Sequence, residues 1–113
     1  MLYSFKKQTN IKNLYVSDLD GTLLTSDMNI SENSLKIINT LIDEGMLFTY
    51  ATARSISSAS IVAKGLSTKY PIIAYNGAFI VDSNDGKILM AETFTTDQVE
   101  KVHMEANKYN LSP

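Results

Sequence analysis

The sequence lacks cysteine altogether and contains a single histidine, His103, among its 113 residues. Without cysteine there is no disulfide framework and no thiolate metal site. One histidine cannot form a histidine-based metal cluster. No apolar run approaches the roughly 20 residues of a membrane-spanning helix, and no apolar signal region follows Lys6 and Lys7. We therefore expect a cytoplasmic protein with no membrane partner.

The charge balance argues against some classes of binding partner. Ten basic and twelve acidic residues give a formal net charge of −2. This balance argues against a nucleic-acid binder or a binder of membrane surfaces. The composition, 44% hydrophobic and 19% charged, is typical of one globular domain.

The most informative stretch follows the apolar run Leu14–Val16, which reads as a buried strand. Asp18 and Asp20 stand where this strand ends, and Gly21 lets the chain turn or approach a ligand closely. Two carboxylates this close repel each other, so the site favours a divalent cation or a shared proton. Oxygen ligands without cysteine or histidine indicate a hard ion, Mg²⁺ above all. The alternative is a turn or a helix cap, where aspartate and glycine are also common.

This stretch resembles the first motif of the haloacid dehalogenase (HAD) superfamily, an apolar strand followed by Asp-x-Asp-Gly-Thr. The resemblance implies a phosphohydrolase that uses Mg²⁺ held by Asp18 and Asp20. It also implies that Asp18 is the nucleophile, which forms an aspartyl-phosphate, and that Asp20 is the general acid and base. The substrate class implied is a small phosphorylated metabolite.

The segment after this motif predicts a strand–helix–strand unit with parallel strands. Ser31 caps a helix over about 32–44, Gly45 ends it, and an apolar strand follows at 46–51. Later elements are a helix over 55–66, a strand at 71–75, a hairpin at 79–82 and 87–91, and a helix over about 96–110 that begins at a capping box formed by Thr95 and Gln98.

Thr52, Ala53 and Arg54 follow the second strand directly, and ligands of parallel sheets bind beyond such strand ends. The Cof-type branch of the superfamily usually shows Thr-Gly-Arg here, so the resemblance implies phosphate binding by this segment, with Thr52 donating its hydroxyl. Ala53 departs from that pattern; if the turn needs a positive φ, alanine strains or shifts it. Arg54 either clamps the substrate phosphate or pairs with an acidic residue.

Asn76 and Gly77 end the third strand, and Asn-Gly-Ala in this place is similar to the Cof-type pattern. The resemblance implies a role in positioning substrate. A plain tight turn explains the same residues, because Asn-Gly is a strong hairpin signal. Both interpretations stay open on the sequence alone.

The predicted fold class is α/β, a partial doubly wound, Rossmann-like HAD core with parallel strands, a β-hairpin and the start of a cap helix. We expect an N-terminal extension over 1–13, the partial core over 14–92 and the start of a cap segment over 93–113. The resemblance covers only the N-terminal portion of such enzymes. The lysine and the acidic pair of the later family motifs have no counterpart here, so we expect weak activity or none from the chain alone.

Two further expectations concern partners and alternatives. The first strand would have an open edge, and such edges pair with other chains, which predicts a homodimer through that edge. The alternative to an active enzyme is a HAD remnant that acts as a binding or assembly module, or as half of a two-chain enzyme. A response-regulator phosphoacceptor also carries aspartates at a strand end, but no Asp-Gly-Thr follows them there.

Overall fold

The computed structural model describes residues 13–112. The extension predicted for 1–13 therefore lies, apart from Asn13, outside the described residues. Within them no helix is both long and apolar enough to cross a membrane. The strands are β1 (Leu14–Ser17), β2 (Leu47–Tyr50), β3 (Ile72–Ala74), β4 (Phe79–Val81) and β5 (Ile88–Ala91), and the helices are α1 (Glu32–Asp43), α2 (Ile56–Val62) and α3 (Thr96–Lys108).

Each helix begins at a hydroxyl side chain that accepts a bond from an otherwise unpaired backbone N–H; the sequence predicts the caps at Ser31 and Thr95. Ser31 Oγ accepts from Ser34 N at 3.1 Å and starts α1. At α3 the capping box is complete, because Thr95 Oγ1 accepts from Gln98 N and Gln98 Oε1 accepts from Thr95 N. These local bonds fix where the helices begin.

Two helices end earlier than their sequence patterns predict. The prediction of a helix over 55–66 is wrong at its C-terminus, since α2 ends at Val62. The chain then turns through Gly65, whose φ is +95° and whose carbonyl accepts from Asn39 Nδ2 of α1 at 2.8 Å. Helix α3 ends at Lys108, and Asn110 has a left-handed φ of 57°. Tertiary contact at Gly65 and a local turn at Asn110 end the helical periodicity.

The sheet confirms the predicted parallel unit and hairpin. β1 and β2 pair in parallel, with Leu14 opposite Leu47 and Ser17 opposite Tyr50. β3, β4 and β5 pair antiparallel in that order. A single parallel bridge between Ala51 and Ile73 connects the two groups of strands. The carboxyl ends of β1, β2 and β3 therefore meet at one edge, where the sequence places its candidate residues.

The hydrophobic core forms where α1 and α2 pack on β2 and β3, and other apolar surfaces stay exposed. Leu35 of α1 packs on the same cluster as the buried residues of α2, β2 and β3. The prediction that Leu14–Val16 is a buried strand is wrong: these residues form β1 but are 43–49% exposed, because among the described strands β1 pairs with β2 alone. Helix α3 also contains no buried residue. The core cluster consists of Leu19, Leu24, Ile30, Tyr50, Ala59, Ala63 and Ile72.

Candidate active site

The two carboxylates lie on an irregular turn that leaves β1. Asp18 Oδ1 accepts from Leu19 N at 2.7 Å, and Leu24 N donates to Leu19 O at 2.9 Å, closing the turn. Gly21 provides the left-handed step with a φ of +75°. Leu19 is fully buried and anchors the turn to the core, while Asp20 stays exposed. The fold thus holds both aspartates at the strand end, as predicted.

Thr52 is a buried polar residue at the end of β2. The residue is 4% exposed, and its N–H donates to Ile73 O of β3 at 2.9 Å. Its Oγ1 accepts from Arg54 N at 3.1 Å. Ala53, between them, is exposed and does not have a positive φ. The turn therefore has no need of glycine, and alanine causes no backbone strain there.

Arg54 binds Asp20 rather than standing free in the cleft. Its Nε donates to Asp20 Oδ2 at 2.8 Å and its Nη2 to Asp20 Oδ1 at 2.7 Å. Nη1 donates to Ser58 Oγ at 2.7 Å. The hydrogen bonds from Arg54 hold the pKa of the Asp20 carboxyl below its ordinary value, and the same bonds raise the pKa of Arg54. Asp20 is thus ionised in this state.

The Asn76–Gly77 segment forms a tight turn and borders the cleft, while its role in positioning substrate stays a prediction. Asn76 N donates to Thr52 O at 3.0 Å, and Tyr75 N donates to Arg54 O at 3.0 Å. These bonds tie the end of β3 to the segment that carries Thr52 and Arg54. The side chains at the three strand ends are held relative to one another by backbone contacts.

An open cleft of about 550 Å³ lies at this edge of the sheet. Six of the seven predicted site residues line the cleft. The seventh, Arg54, is hydrogen-bonded to Asp20, which lines it. Sequence reasoning missed Ser17 and Ile73, which border the cleft, and Ser58, which supports Arg54 from four residues along the chain. The lining residues are Val16, Ser17, Asp18, Asp20, Ala51, Thr52, Ala53, Ile73, Asn76 and Gly77.

The donors in the cleft fit Mg²⁺ to a limited extent. Asp18 and Asp20 offer carboxylate oxygens in an exposed position, and Mg²⁺ is usually bound by one or two carboxylates with water and phosphate. Between residues 13 and 112 no group of three or more acidic, histidine or cysteine side chains comes together. Arg54 also occupies both oxygens of Asp20. A metal would compete with that guanidinium or bind through Asp18 alone.

The fold is thus an α/β protein in which the ends of parallel strands bring together a pair of aspartates and a buried threonine. The chain belongs to the haloacid dehalogenase-like hydrolases, whose family model matches residues 15–113. The predicted family is thereby confirmed, and its members among the relatives of this chain are phosphatases.

Two curated relatives illustrate the similarity. The chain is 40% identical over 72 residues to a 5-amino-6-(5-phospho-D-ribitylamino)uracil phosphatase, YitU, of Bacillus subtilis, covering 64% of this chain and 27% of the relative. It is 32% identical over 85 residues to an HMP-PP phosphatase of Serratia proteamaculans, covering 75% and 31%. The matched part of the chain thus spans less than a third of the length of these relatives.

Solved structures show the same fold. The HAD-superfamily phosphatase BT1666 of Bacteroides thetaiotaomicron superposes with a TM-score of 0.78 at 23% identity, covering 92% of this chain and 38% of the other. The protein TM0651 of Thermotoga maritima gives a TM-score of 0.70 at 28% identity, covering 88% and 37%. The α/β class with a parallel pair and an antiparallel hairpin is therefore confirmed.

Proposed function

We propose that this chain carries the nucleophile portion of a Mg²⁺-dependent phosphohydrolase that acts on a small phosphorylated metabolite. The observation that supports it most is the meeting of Asp18, Asp20 and Thr52 in one cleft at the carboxyl edge of β1 and β2. Two relatives, whose names specify a phosphorylated ribitylaminouracil and HMP-PP as substrates, support the substrate class.

The chemistry follows from the roles of the side chains. An Asp18 oxygen attacks the phosphorus, the bond from phosphorus to the leaving oxygen breaks, and Asp20 gives that oxygen a proton. Asp20 then takes a proton from a water molecule, which attacks the aspartyl-phosphate, releases inorganic phosphate and restores Asp18. Mg²⁺, when bound, offsets the charge that develops on the phosphoryl oxygens.

Arg54 has a defined place in this sequence of steps. Because its guanidinium keeps Asp20 ionised, Asp20 cannot donate a proton while both bonds last. A phosphate entering the cleft offers Arg54 an alternative bidentate partner. Transfer of Arg54 from the carboxylate to the phosphate would allow Asp20 to take up the proton that the first step needs.

The test is phosphatase activity of the full chain with Mg²⁺ on a generic aryl phosphate. We expect at most weak turnover, because the lysine and the acidic pair of the later family motifs have no counterpart here; Asp18→Asn abolishes this turnover, and a chelator of Mg²⁺ abolishes it reversibly. Asp27→Asn removes a carboxylate of the neighbouring loop, outside the cleft, and serves as the matched control with unchanged turnover. Absence of turnover in a chain shown to be folded by circular dichroism would contradict the proposal for the isolated chain.

The second candidate is an assembly module or half of a two-chain enzyme, which the exposure of β1 favours. Among the described strands β1 pairs with β2 alone. Ser17 O accepts a hydrogen bond from the N–H of Ala51, the residue that follows β2. Because backbone direction alternates along a strand, the N–H of Leu14 and that of Val16 point to the open edge. We propose that two copies of the chain form a homodimer through this edge. We also propose that the segment 93–113 is the start of a cap.

Sedimentation of the full chain tests the assembly proposal. Leu14→Pro removes one N–H from the open edge and should shift a dimer towards monomer. Leu14→Ala removes the apolar side chain but keeps the N–H, so it separates backbone pairing from side-chain packing. A monomeric wild-type chain at all concentrations tested would contradict the dimer.

A further inference from the structure

The third residue of each helix stands where a side chain can bond back to the start of the helix, and α2 uses this position differently. In α3 it is Gln98, which closes the capping box. In α1 it is Ser34, whose Oγ accepts from the hydroxyl of the capping serine at 3.0 Å. In α2 it is Ser58, whose Oγ accepts from Arg54 Nη1 at 2.7 Å. The hydroxyl of Ser58 is therefore directed to a residue of the candidate site.

Ser58 is fixed by its helix and by the core. Its N–H donates to Oγ of Ser55, which caps α2, at 3.2 Å. The next residue, Ala59, is fully buried in the core cluster, and Ser58 itself is half-buried. Because the helix is anchored in this way, the Ser58 hydroxyl offers Arg54 an acceptor whose position does not depend on Asp20.

Three bonds together hold the Arg54 guanidinium. Nε and Nη2 donate to the two oxygens of Asp20 at 2.8 and 2.7 Å, and Nη1 donates to Ser58. All its nitrogens are thus bound, by the turn after β1 and by α2. A guanidinium is planar and rigid, so bonds at all of its nitrogens fix both its position and its orientation.

The Arg54 side chain has to move before it can bind a phosphate in the cleft. Asp20 lines the cleft and Arg54 does not. The Asp20 oxygens also occupy the Nε–Nη2 edge, at which a guanidinium can bind phosphate with two bonds. A shift of the guanidinium into the cleft breaks the bond to Ser58 as well, because its acceptor is fixed on α2. A bond that exists only in the phosphate-free arrangement opposes the shift.

We propose that Ser58 completes an autoinhibitory latch, which keeps Arg54 away from the phosphate of the substrate until that phosphate displaces it from both partners. The latch consists of Asp20, Arg54 and Ser58. The proposal rests on the proposed function for the transfer of Arg54 from carboxylate to phosphate, and it adds a neutral hydroxyl that regulates this transfer. One hydrogen bond that must break on binding lowers the affinity for phosphate about fivefold.

The experiment measures the affinity of the full chain for inorganic phosphate with Mg²⁺ present, by calorimetry at neutral pH. Ser58→Ala removes the hydroxyl and keeps the N–H that donates to Ser55, so the start of α2 is retained. We expect this variant to bind phosphate about fivefold more tightly than the wild type. Ser58→Thr keeps the hydroxyl and should bind phosphate as the wild type does. Ser34→Ala, the same change at the same helix position of α1, is the matched control with unchanged affinity.

A double variant shows whether Ser58 acts through Arg54. Arg54→Gln removes the guanidinium, so Ser58→Ala should not change the phosphate affinity in that background. NMR of the Arg54 Nε–H in the phosphate-free chain gives an independent signal. In Ser58→Ala this proton should exchange with water about fivefold faster, because release of Nη1 lets the pair with Asp20 open more often.

The latch would be overturned by a phosphate affinity of folded Ser58→Ala equal to or below that of the wild type. The same gain in Ser34→Ala, or a gain that persists in the Arg54→Gln background, would overturn it as well. So would unchanged exchange of the Arg54 Nε–H in Ser58→Ala, or the absence of saturable phosphate binding at millimolar concentration in both the wild type and Ser58→Ala.

Failure of the latch and failure of the proposed function give different results. Turnover of the aryl phosphate that Asp18→Asn abolishes, with a KM that does not change in Ser58→Ala, keeps the phosphatase and removes the latch. A phosphate affinity that rises in Ser58→Ala through Arg54, in a chain without turnover, keeps the latch and removes the hydrolysis.

Discussion

Arg54 and Asp20 form a two-point pair across 34 positions of sequence, with Nε–Oδ2 at 2.8 Å and Nη2–Oδ1 at 2.7 Å. Bidentate pairs between arginine and carboxylate are geometrically specific as well as strong. Ser58 Oγ accepts the remaining Nη1 bond and keeps the guanidinium in this orientation. In the resting protein the carboxylate proposed as proton donor is thus held in its unprotonated form.

Replacing Arg54 by glutamine should raise the pKa of Asp20 towards its ordinary value. The physical reason is that the hydrogen bonds from Arg54 are the main cause of the lowered pKa. Carbon-13 NMR titration of the Asp20 carboxyl measures the change directly. Lys101→Gln breaks the exposed pair with Asp97, at 3.0 Å, and should leave the Asp20 titration as it is. An unchanged pKa in Arg54→Gln would show that the pair does not persist in solution.

The same pair should make stability depend on pH. Because the folded-state pKa of Asp20 is lowered, its contribution is present above the unfolded-state value of 3.8 and is lost as pH falls through the folded-state pKa. The difference in urea midpoint between wild type and Arg54→Gln should therefore be largest near neutral pH and shrink below 3.8. A difference that grows on acidification would contradict this linkage.

Thr52→Val should loosen the site as well as the fold. The isosteric change removes the Oγ1 that accepts from Arg54 N, and an unpaired backbone donor in this partly buried place costs about 2 kcal/mol of unfolding free energy. We expect a lower urea midpoint and a higher Asp20 pKa, while Thr52→Ser stays near wild type. Thr49→Val is the control: it removes the bond to Pro71 O and should lower stability without moving the Asp20 titration.

Asn39→Ala should destabilise the connection between α1 and the chain after α2. The Asn39 amide donates to Gly65 O at 2.8 Å and accepts from both N and Oγ of Ser67 at 2.9 Å. Loss of these bonds should cost about 2 kcal/mol of unfolding free energy, measured by urea denaturation. Asn33→Ala changes the same residue type at an exposed position of α1 and should lie within about 0.5 kcal/mol of wild type. Equal changes in the free energy of unfolding for the two variants would contradict a stabilising role of the Asn39 hydrogen bonds.

The sequence predicts those features that depend on neighbouring residues. Ser31 and the Thr95–Gln98 pair mark helix starts, because caps act over three positions. The turn at Asn76 follows from local chemistry in the same way. The match to the family motif identified Asp18 and Thr52 as partners in one cleft.

Other features depend on contacts distant in sequence, and no local pattern could give them. The end of α2 follows from the bond between Gly65 and Asn39 of another helix. The pair between Arg54 and Asp20 joins residues 34 positions apart, so no local pattern predicts it, and phosphate binding by Arg54 stays a proposal. The left-handed conformation of Tyr75, with a φ of 50°, was missed because its Asn-Gly neighbours already account for a turn.

The single bridge between Ala51 and Ile73 has a consequence for local unfolding. The seam between the ends of β2 and β3 consists of this bridge, which includes the bond from Thr52 N to Ile73 O, and of the bonds donated by Tyr75 N and Asn76 N. These are the same segments that form the cleft. Sub-global opening events follow the regions with fewest protecting contacts. We therefore expect the amides of Thr52 and Asn76 to exchange through one shared opening reaction. In that reaction the bonds between the ends of β2 and β3 break and the cleft loses its structure at the same time. Any ligand that bridges the two segments would slow exchange across the whole seam.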